Sequence, residues 1–171
     1  METEQLKVGI GWDSHPLITG RKLILGGADI PYDKGLSGWS DADVAVHAII
    51  DALCGAADLG DIGSLFPPRA PEYEDISSLV LLNKTGALLK TKGFRVVNID
   101  VTIIAQSPSL SAFIPEMRGF ISHALGINST QVTVKATTTN GLGFIGRGEG
   151  MAAQAVALIR KKWTVRRLEE T

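Results

Sequence analysis

The sequence predicts an α/β (α+β) fold, a single sheet of about four mixed strands covered by helices on one face. Apolar residues alternate with polar ones over strand-length runs at 6–13, 94–106 and 132–136, and runs of helical period fall between them at 40–59, 77–92 and 111–125. The chain has 171 residues, 44% of them hydrophobic, which is enough to bury one core without staples. A single domain over 1–171 is expected, with 1–6 and 161–171 as flexible ends.

In order along the chain, Leu6, Val8 and Ile10 share one face of a strand that ends at Asp13 and His15. Residues 21–30 read as a hairpin excursion that turns at Gly26 and Gly27 and closes at Pro31, and 34–39 as a glycine-rich loop. Ser40 is the expected N-cap of a long helix, with Asp43 three positions on as a variant capping box, and Val44, His47, Ile50 and Leu53 recur at helical spacing to about residue 59. Turn residues without a period make 60–68 a loop. Ser77 or Ser78 opens a second helix that stops at Gly93. Val97, Ile99, Val101 and Ile103 alternate with Asn98, Asp100 and Thr102 in a strand with one covered face. A third helix over 111–125 ends at Gly126, a strand at Val132, Val134 and Ala136 leads into Thr137, and 141–150 is a glycine-rich loop. Over 149–162 the alanines favour helix, whereas the place after a strand favours another strand, and periodicity does not decide between them.

The bulk numbers exclude several function classes. A net charge of −1, with its only dense basic run at Lys161, Lys162, Arg166 and Arg167, gives no footprint for nucleic acid or for a membrane surface. No apolar run reaches the ~20 residues of a membrane span. The single cysteine, Cys54, makes no internal disulfide and reads as a core residue. The start of the chain lacks a secretory pattern, so a cytoplasmic enzyme is expected; a plastid location stays open for a chain whose transit peptide has been removed.

Three histidines bound the metal chemistry. Asp13 and His15 stand two apart at a strand end, on one face, and His47 lies on the following helix. Taken alone, the first pair also fits a solvated loop and His47 also fits a core histidine. Asp43 and Asp51, four residues to either side of His47, are candidates to hold its second ring nitrogen. Three ligands from two segments would leave one tetrahedral position open, the arrangement of a catalytic rather than a structural site. His123, near a helix end, reads as a surface residue. No nucleophile with a dedicated base stands out, which favours chemistry in which substrate and metal supply the reacting groups. Two segments suit phosphate: 35–40, placed at a helix N-terminus, and Thr137, Thr138 and Thr139 followed by glycines and Arg147. An ordinary capped loop explains the first equally well, and spacing alone carries the reading only to metal-assisted phosphoryl chemistry.

Five blocks extend that reading: GWDSH at 11–15, SDADVAVHA at 40–48, GDIGSLFP at 60–67, DVTIIAQ at 100–106, and KATTT at 135–139 with GLGFIGRGEG at 141–150. In this order they resemble the 2-C-methyl-D-erythritol 2,4-cyclodiphosphate synthase family from about residue 7 to 160. The resemblance implies a homotrimer with active sites between subunits, and a strand after Glu149. It implies a zinc lyase of isoprenoid (terpenoid) biosynthesis, in the methylerythritol phosphate pathway. Its substrate would be 4-diphosphocytidyl-2-C-methyl-D-erythritol 2-phosphate and its products the cyclic diphosphate and CMP. The zinc ligands would be Asp13, His15 and His47, with Asp13 and His15 also touching substrate. Trp39 and Ser40 fall at phosphate positions. Asp61, Ile62, Gly63 and Phe66 fall on the methylerythritol side. Ala105, Gln106, Pro108 and Leu110 would hold the base, and Thr137, Thr138, Thr139 and Asn140 the phosphates, with Thr138 as transition-state stabiliser. Phe144 and Arg147, with Trp12, would line a cavity on the threefold axis that can hold isoprenoid diphosphates. The chain departs from the family at Trp39, usually histidine and a second catalytic position; at Asn140, often an acid that holds a bridging magnesium or manganese; at Pro68 and Ala70, often acids; and at Ser109, often lysine. Rival readings are a metal-dependent phosphohydrolase and a non-catalytic isoprenoid-diphosphate-binding protein.

Overall fold

The computed structural model describes residues 2–164; residue 1 and residues 165–171 lie outside it, with Arg166 and Arg167 of the basic run among them. Strand β1 (Glu2–Thr19) is followed by a small hairpin, β2 (Leu23–Leu25) and β3 (Ala28–Ile30), and by β4 (Lys34–Leu36). Helix α1 (Val44–Ala57), a short α2 (Ile62–Leu65) and α3 (Ser78–Thr91) precede β5 (Phe94–Ile104). Then come α4 (Ile114–Leu125), β6 (Val132–Thr137), a short α5 (Gly143–Gly146) and β7 (Gly150–Thr164).

The main sheet has five strands in the order β4-β1-β7-β5-β6, antiparallel throughout except for the β5–β6 pair. The expected count of about four was low because β4 lies inside the stretch read as a glycine-rich loop. Three residues are too few to display a period, and a Cβ on Gly35 would stand 2.1 Å from the Lys22 carbonyl oxygen, so glycine there permits the close pass of two chain segments. Residues 149–162, undecided by periodicity, are strand β7 from Gly150 onward. In β1 and β7, residues 2–5 pair with residues 161–164, inside the segments expected as flexible ends.

Among the described residues, helices cover one face of this sheet. Gly9, Gly11 and Asp13 of β1 lie in register with Ala157, Ala155 and Ala153 of β7, and these with Ile99, Val101 and Ile103 of β5, along the covered side. Leu6, Val8, Ile10 and Trp12 alternate onto the open side and are 52–66% exposed. α1 packs on β1 and β7 and is covered in turn by α3, so 12 of its residues are buried. Its Ala48, Ala52 and Ala56 ride directly on the strand glycines. A Cβ on Gly11 would stand 2.0 Å from the Ala48 carbonyl oxygen, and one on Gly9 2.0 Å from that of Ala52.

The N-cap of α1 is Asp43, not Ser40. Its carboxylate accepts from the amides of Gly26 (2.9 Å), Gly27 (2.7 Å), Ala45 and Val46 (both 3.1 Å), tying the β2–β3 turn to the helix start. Burial and the charge of Asp41 push this carboxyl up to about 6, against the lowering by the amides of Gly26, Gly27 and Val46. The expected stops hold at Gly93 and Gly126, both with positive φ. Residues 60–68, read wholly as loop, contain the single turn α2, capped by Asp61.

The glycine contacts make a paired prediction. Gly11→Ala should lower unfolding free energy by about 1–3 kcal/mol or more, because the helix backbone must move. Gly55→Ala, on the exposed side of α1 with nothing within 4 Å of the new Cβ, should raise it by about 0.5–1 kcal/mol. Chemical denaturation of the two variants checks both signs.

Candidate metal centre

β1 presents Asp13 and His15 on one face, and the first turn of α1 presents His47 opposite them. His15 Nε2 lies 2.9 Å from Asp13 Oδ2, His47 Nδ1 lies 3.0 Å from the same oxygen, and the two ring nitrogens are 3.1 Å apart. A tetrahedral ion bound at about 2.0–2.1 Å spaces its ligand atoms about 3.3 Å apart, so this triangle fits one face of a tetrahedron with the fourth vertex free for water or substrate. Burial pushes the Asp13 carboxyl upward, but the hydrogen bonds and charge of His15 and His47 outweigh it and hold Asp13 well below the usual carboxylate range. Burial opposes protonation of His15, yet its contact with Asp13 raises its pKa. The centre therefore concentrates one anion and two imidazoles where a cation would be stabilised.

Each histidine is held from behind. His15 Nδ1 lies 2.9 Å from the Ser37 carbonyl, to which it donates, leaving the Nε2 lone pair for an ion. His47 Nε2 lies 2.9 Å from Ser78 Oγ and 3.2 Å from Ser40 Oγ. This corrects the expectation that Asp43 or Asp51 would hold it. Asp43 is consumed by the helix cap, and Asp51 accepts instead from the Ile62 amide at 2.8 Å, anchoring the start of α2. Sequence reasoning missed Ser78, which is 31 positions from His47 and legible only as a helix start, and it missed the Ser37 carbonyl, which has no side-chain signature.

The 37–41 segment backs the centre rather than presenting the dipole of α1. The N-terminal amides of α1 bind the Asp43 carboxylate, so the expected anion position at the helix start is filled by the chain itself. Ser40 is 7% exposed, with its hydroxyl turned toward His47 and the Ala42 amide. Trp39 donates its indole N–H to the Ala70 carbonyl at 3.0 Å, which fastens this segment to the loop beyond Phe66. Arg21 ties down the same segment by donating to the carbonyls of Gly38 (2.9 Å) and Ser40 (2.7 Å). On the neighbouring wall Asp61 and Gly63 are exposed, Ile62 is half-buried, and Phe66 meets Tyr73 edge-on at 5.5 Å.

The residues expected at the base and phosphates gather elsewhere. Ala105 donates its amide to Thr137 at 3.0 Å, Gln106 accepts from the Gly141 amide at 3.1 Å, and Thr138 reaches Asn140 at 3.3 Å. Thr139 donates to the Leu142 carbonyl at 2.6 Å, while Pro108 is half-buried and Leu110 is buried beside them. A cavity of ≈ 160 Å³ lies between Gln106, Ser107 and Arg147. Phe144 is 41% exposed, and Arg147 is paired with Glu149 at 2.8 Å. Asp13 and Ala136 share a row of the sheet, yet they are separated by β7 and β5, about 14 Å at ~4.8 Å per strand. Within one chain the candidate metal centre and the threonine loop are thus two separate clusters. A much larger groove, ≈ 1150 Å³ beside Phe94, Lys90 and Arg160, sits at the far end of the sheet. Lys90 stands in the last turn of α3, where it offsets the helix dipole, and among the described residues no Asp, Glu or His lines the groove. Cys54 is buried, with its thiol pushed up to about 12 by burial and by Asp51, and His123 is exposed.

Comparison with known proteins bears on this arrangement. The profile of the YgbB family matches residues 6–160. The 2-C-methyl-D-erythritol 2,4-cyclodiphosphate synthase of Moorella thermoacetica is 55% identical over 154 residues, covering 90% of this chain and 94% of that protein. The synthase of the same name from Caldicellulosiruptor bescii is 57% identical over 153 residues, covering 90% and 98%. Among solved structures, the bifunctional IspDF of Campylobacter jejuni superposes with a TM-score of 0.90 at 39% identity, matching 93% of this chain but 43% of that longer one. The IspF of Plasmodium falciparum, in complex with CDP, superposes with a TM-score of 0.80 at 30% identity over 91% and 96%. With a family profile spanning nearly its whole described length and relatives above half identity, this chain belongs to the YgbB family.

Proposed function

We infer that the chain converts 4-diphosphocytidyl-2-C-methyl-D-erythritol 2-phosphate into 2-C-methyl-D-erythritol 2,4-cyclodiphosphate and CMP, as a phosphorus–oxygen lyase. The observation that carries this reading is the convergence of Asp13, His15 and His47 within 3.1 Å of one another, in a chain with named synthases as relatives. The substrate's own 2-phosphate attacks the β-phosphorus and CMP leaves, so no protein nucleophile is required, in keeping with an inert, buried Cys54. Two imidazoles and one carboxylate suit zinc better than calcium or magnesium, which favour all-oxygen shells. Bound there, zinc would neutralise and polarise phosphate oxygens.

The protein's task is then positioning. Asp13, His15 and His47 hold the ion, with Ser40 behind His47. Trp39, its N–H engaged with Ala70, forms a wall that excludes water. Asp61, Ile62, Gly63 and Phe66 face the methylerythritol portion. Ala105, Gln106, Pro108 and Leu110 take the base, and Thr137, Thr138 and Thr139 the phosphates, with Thr138 stabilising developing charge. A magnesium or manganese ion bridging the phosphates would meet the neutral Asn140.

A homotrimer completes the site by bringing the metal half of one subunit to the threonine half of the next. Its support is the open sheet face. Leu6, Val8, Ile10, Trp12 and Val156 form an exposed apolar patch there, and on the same face Asp100 Oδ1 is a buried oxygen with no hydrogen-bond partner among the described residues. The site is cytoplasmic in this reading; among the described residues no helix is long and apolar enough to cross a membrane.

Three experiments test it. Incubation with the diphosphocytidyl substrate should yield the cyclic diphosphate and CMP by mass spectrometry. Release of inorganic phosphate would favour the hydrolase reading, and tight binding without turnover the binding-protein reading. Purified protein should carry about one zinc per chain by elemental analysis, and His47→Ala should lose it, because two remaining ligands rarely retain the ion. Ile10→Asp, which puts a charge into the apolar face, should shift the sedimenting species from trimer toward monomer and abolish turnover together. An active monomer would refute the shared site.

A further inference from the structure

We propose that Asp41 and Ser78 are positioning residues for the metal ligand His47, acting as a directional hydrogen-bond relay that fixes which ring nitrogen is free to bind an ion. This rests on the metal-centre reading and deepens it.

The direction follows from proton counting. Ser78 presents its backbone N–H to Asp41 Oδ2 at 2.9 Å and donates its hydroxyl proton to Asp41 Oδ1, so a single carboxylate takes both donors of one residue. A hydroxyl has one proton. With that proton committed to Asp41, the Ser78 oxygen can only accept from His47 Nε2, 2.9 Å away. That direction puts the His47 proton on Nε2, with Ser40 Oγ, 3.2 Å away, as its second acceptor, and leaves the Nδ1 lone pair at the vertex shared with Asp13 and His15. Reversing the relay, with Ser78 donating to Nε2, would move the imidazole proton onto Nδ1 and block metal binding.

The two histidine ligands are thus fixed by different means. The Ser37 carbonyl behind His15 can only accept, so that tautomer is set by backbone alone. The Ser78 hydroxyl behind His47 could point either way, and the Asp41 carboxylate supplies its direction. Asp41 is held in turn through its own amide, which donates to the Ile76 carbonyl at 3.1 Å, and by the Asp43 amide, which donates to its Oδ1 at 3.3 Å. Ser78 is fully buried as the first residue of α3. No solvent competes for its hydroxyl.

The test uses the full-length chain, with Zn²⁺ affinity measured by competition against a chromophoric chelator and ring protonation read by ¹⁵N-histidine NMR of the zinc-free protein. Ser78→Ala should weaken Zn²⁺ binding about 10–100-fold, the range for loss of a partner behind a ligand. Asp41→Asn should weaken it too, since the amide nitrogen can donate to Ser78 and turn its hydroxyl toward His47. Ser78→Thr, which keeps the hydroxyl, should remain within a few-fold of wild type. Leu82→Ala, which loosens α3 without touching the relay, should lower the melting temperature and leave Zn²⁺ affinity unchanged. Wild-type His47 should show its proton on Nε2. Ser78→Ala and Asp41→Asn both binding Zn²⁺ within about twofold of wild type would overturn the relay, as would a wild-type His47 protonated on Nδ1; should Ser78→Ala not fold, Asp41→Asn and the wild-type spectrum decide. A wild-type chain that binds no Zn²⁺ would instead overturn the metal-centre reading itself.

Discussion

The close approach of α1 to β1 is the constraint on which the rest depends. Side chains of ordinary size on both surfaces would hold a helix about 10 Å from a sheet. Here Gly9 and Gly11 face Ala48, Ala52 and Ala56, and the strand glycines lie so near the helix backbone that no Cβ fits. That thin interface lets a carboxylate and an imidazole from the strand meet an imidazole from the helix at hydrogen-bond distance. The glycines serve the site at a distance from it. They carry no chemistry, and they set the separation on which the chemistry depends.

Around this contact the polar groups are used economically. Four acids cluster at the start and on one face of α1, and each has a distinct task. Asp43 caps the helix and captures the β2–β3 turn, Asp41 orients Ser78, Asp51 anchors the start of α2, and Asp13 faces the ion position. Spacing along the helix suggests that any acid near His47 could assist it. Three-dimensional placement removes that degeneracy, because an acid at a helix N-terminus is claimed by free amides before it can serve a neighbouring ring.

This explains which parts were legible in the sequence. The three helices, the alternation of β5 and the set of ligands Asp13, His15 and His47 follow from periodicity and residue type, or from motif blocks that keep their order. Strand β4 was not legible, since three residues show no period, whereas β7 followed from the motif resemblance and not from periodicity, because the alanines that lie thin beneath α1 imitate helix composition. The true cap of α1 was displaced by three residues because Ser40 and Asp43 are both good caps, and only the approach of the Gly26 and Gly27 amides distinguishes them. The partners behind the histidines were hidden because one is a carbonyl and the other comes from a helix far along the chain.

The glycine and alanine seam also proofreads the sheet. A strand that slips by one residue relative to its neighbours turns every side chain to the opposite face. For β1 such a slip would send Asp13 and His15 to the open side and bring Ile10 and Trp12 beneath α1, where even a methyl group has no room. The misregistered sheet could not close under its helix. A folded chain is therefore one whose candidate metal ligands already face inward, so the bare ability to fold also assembles the centre.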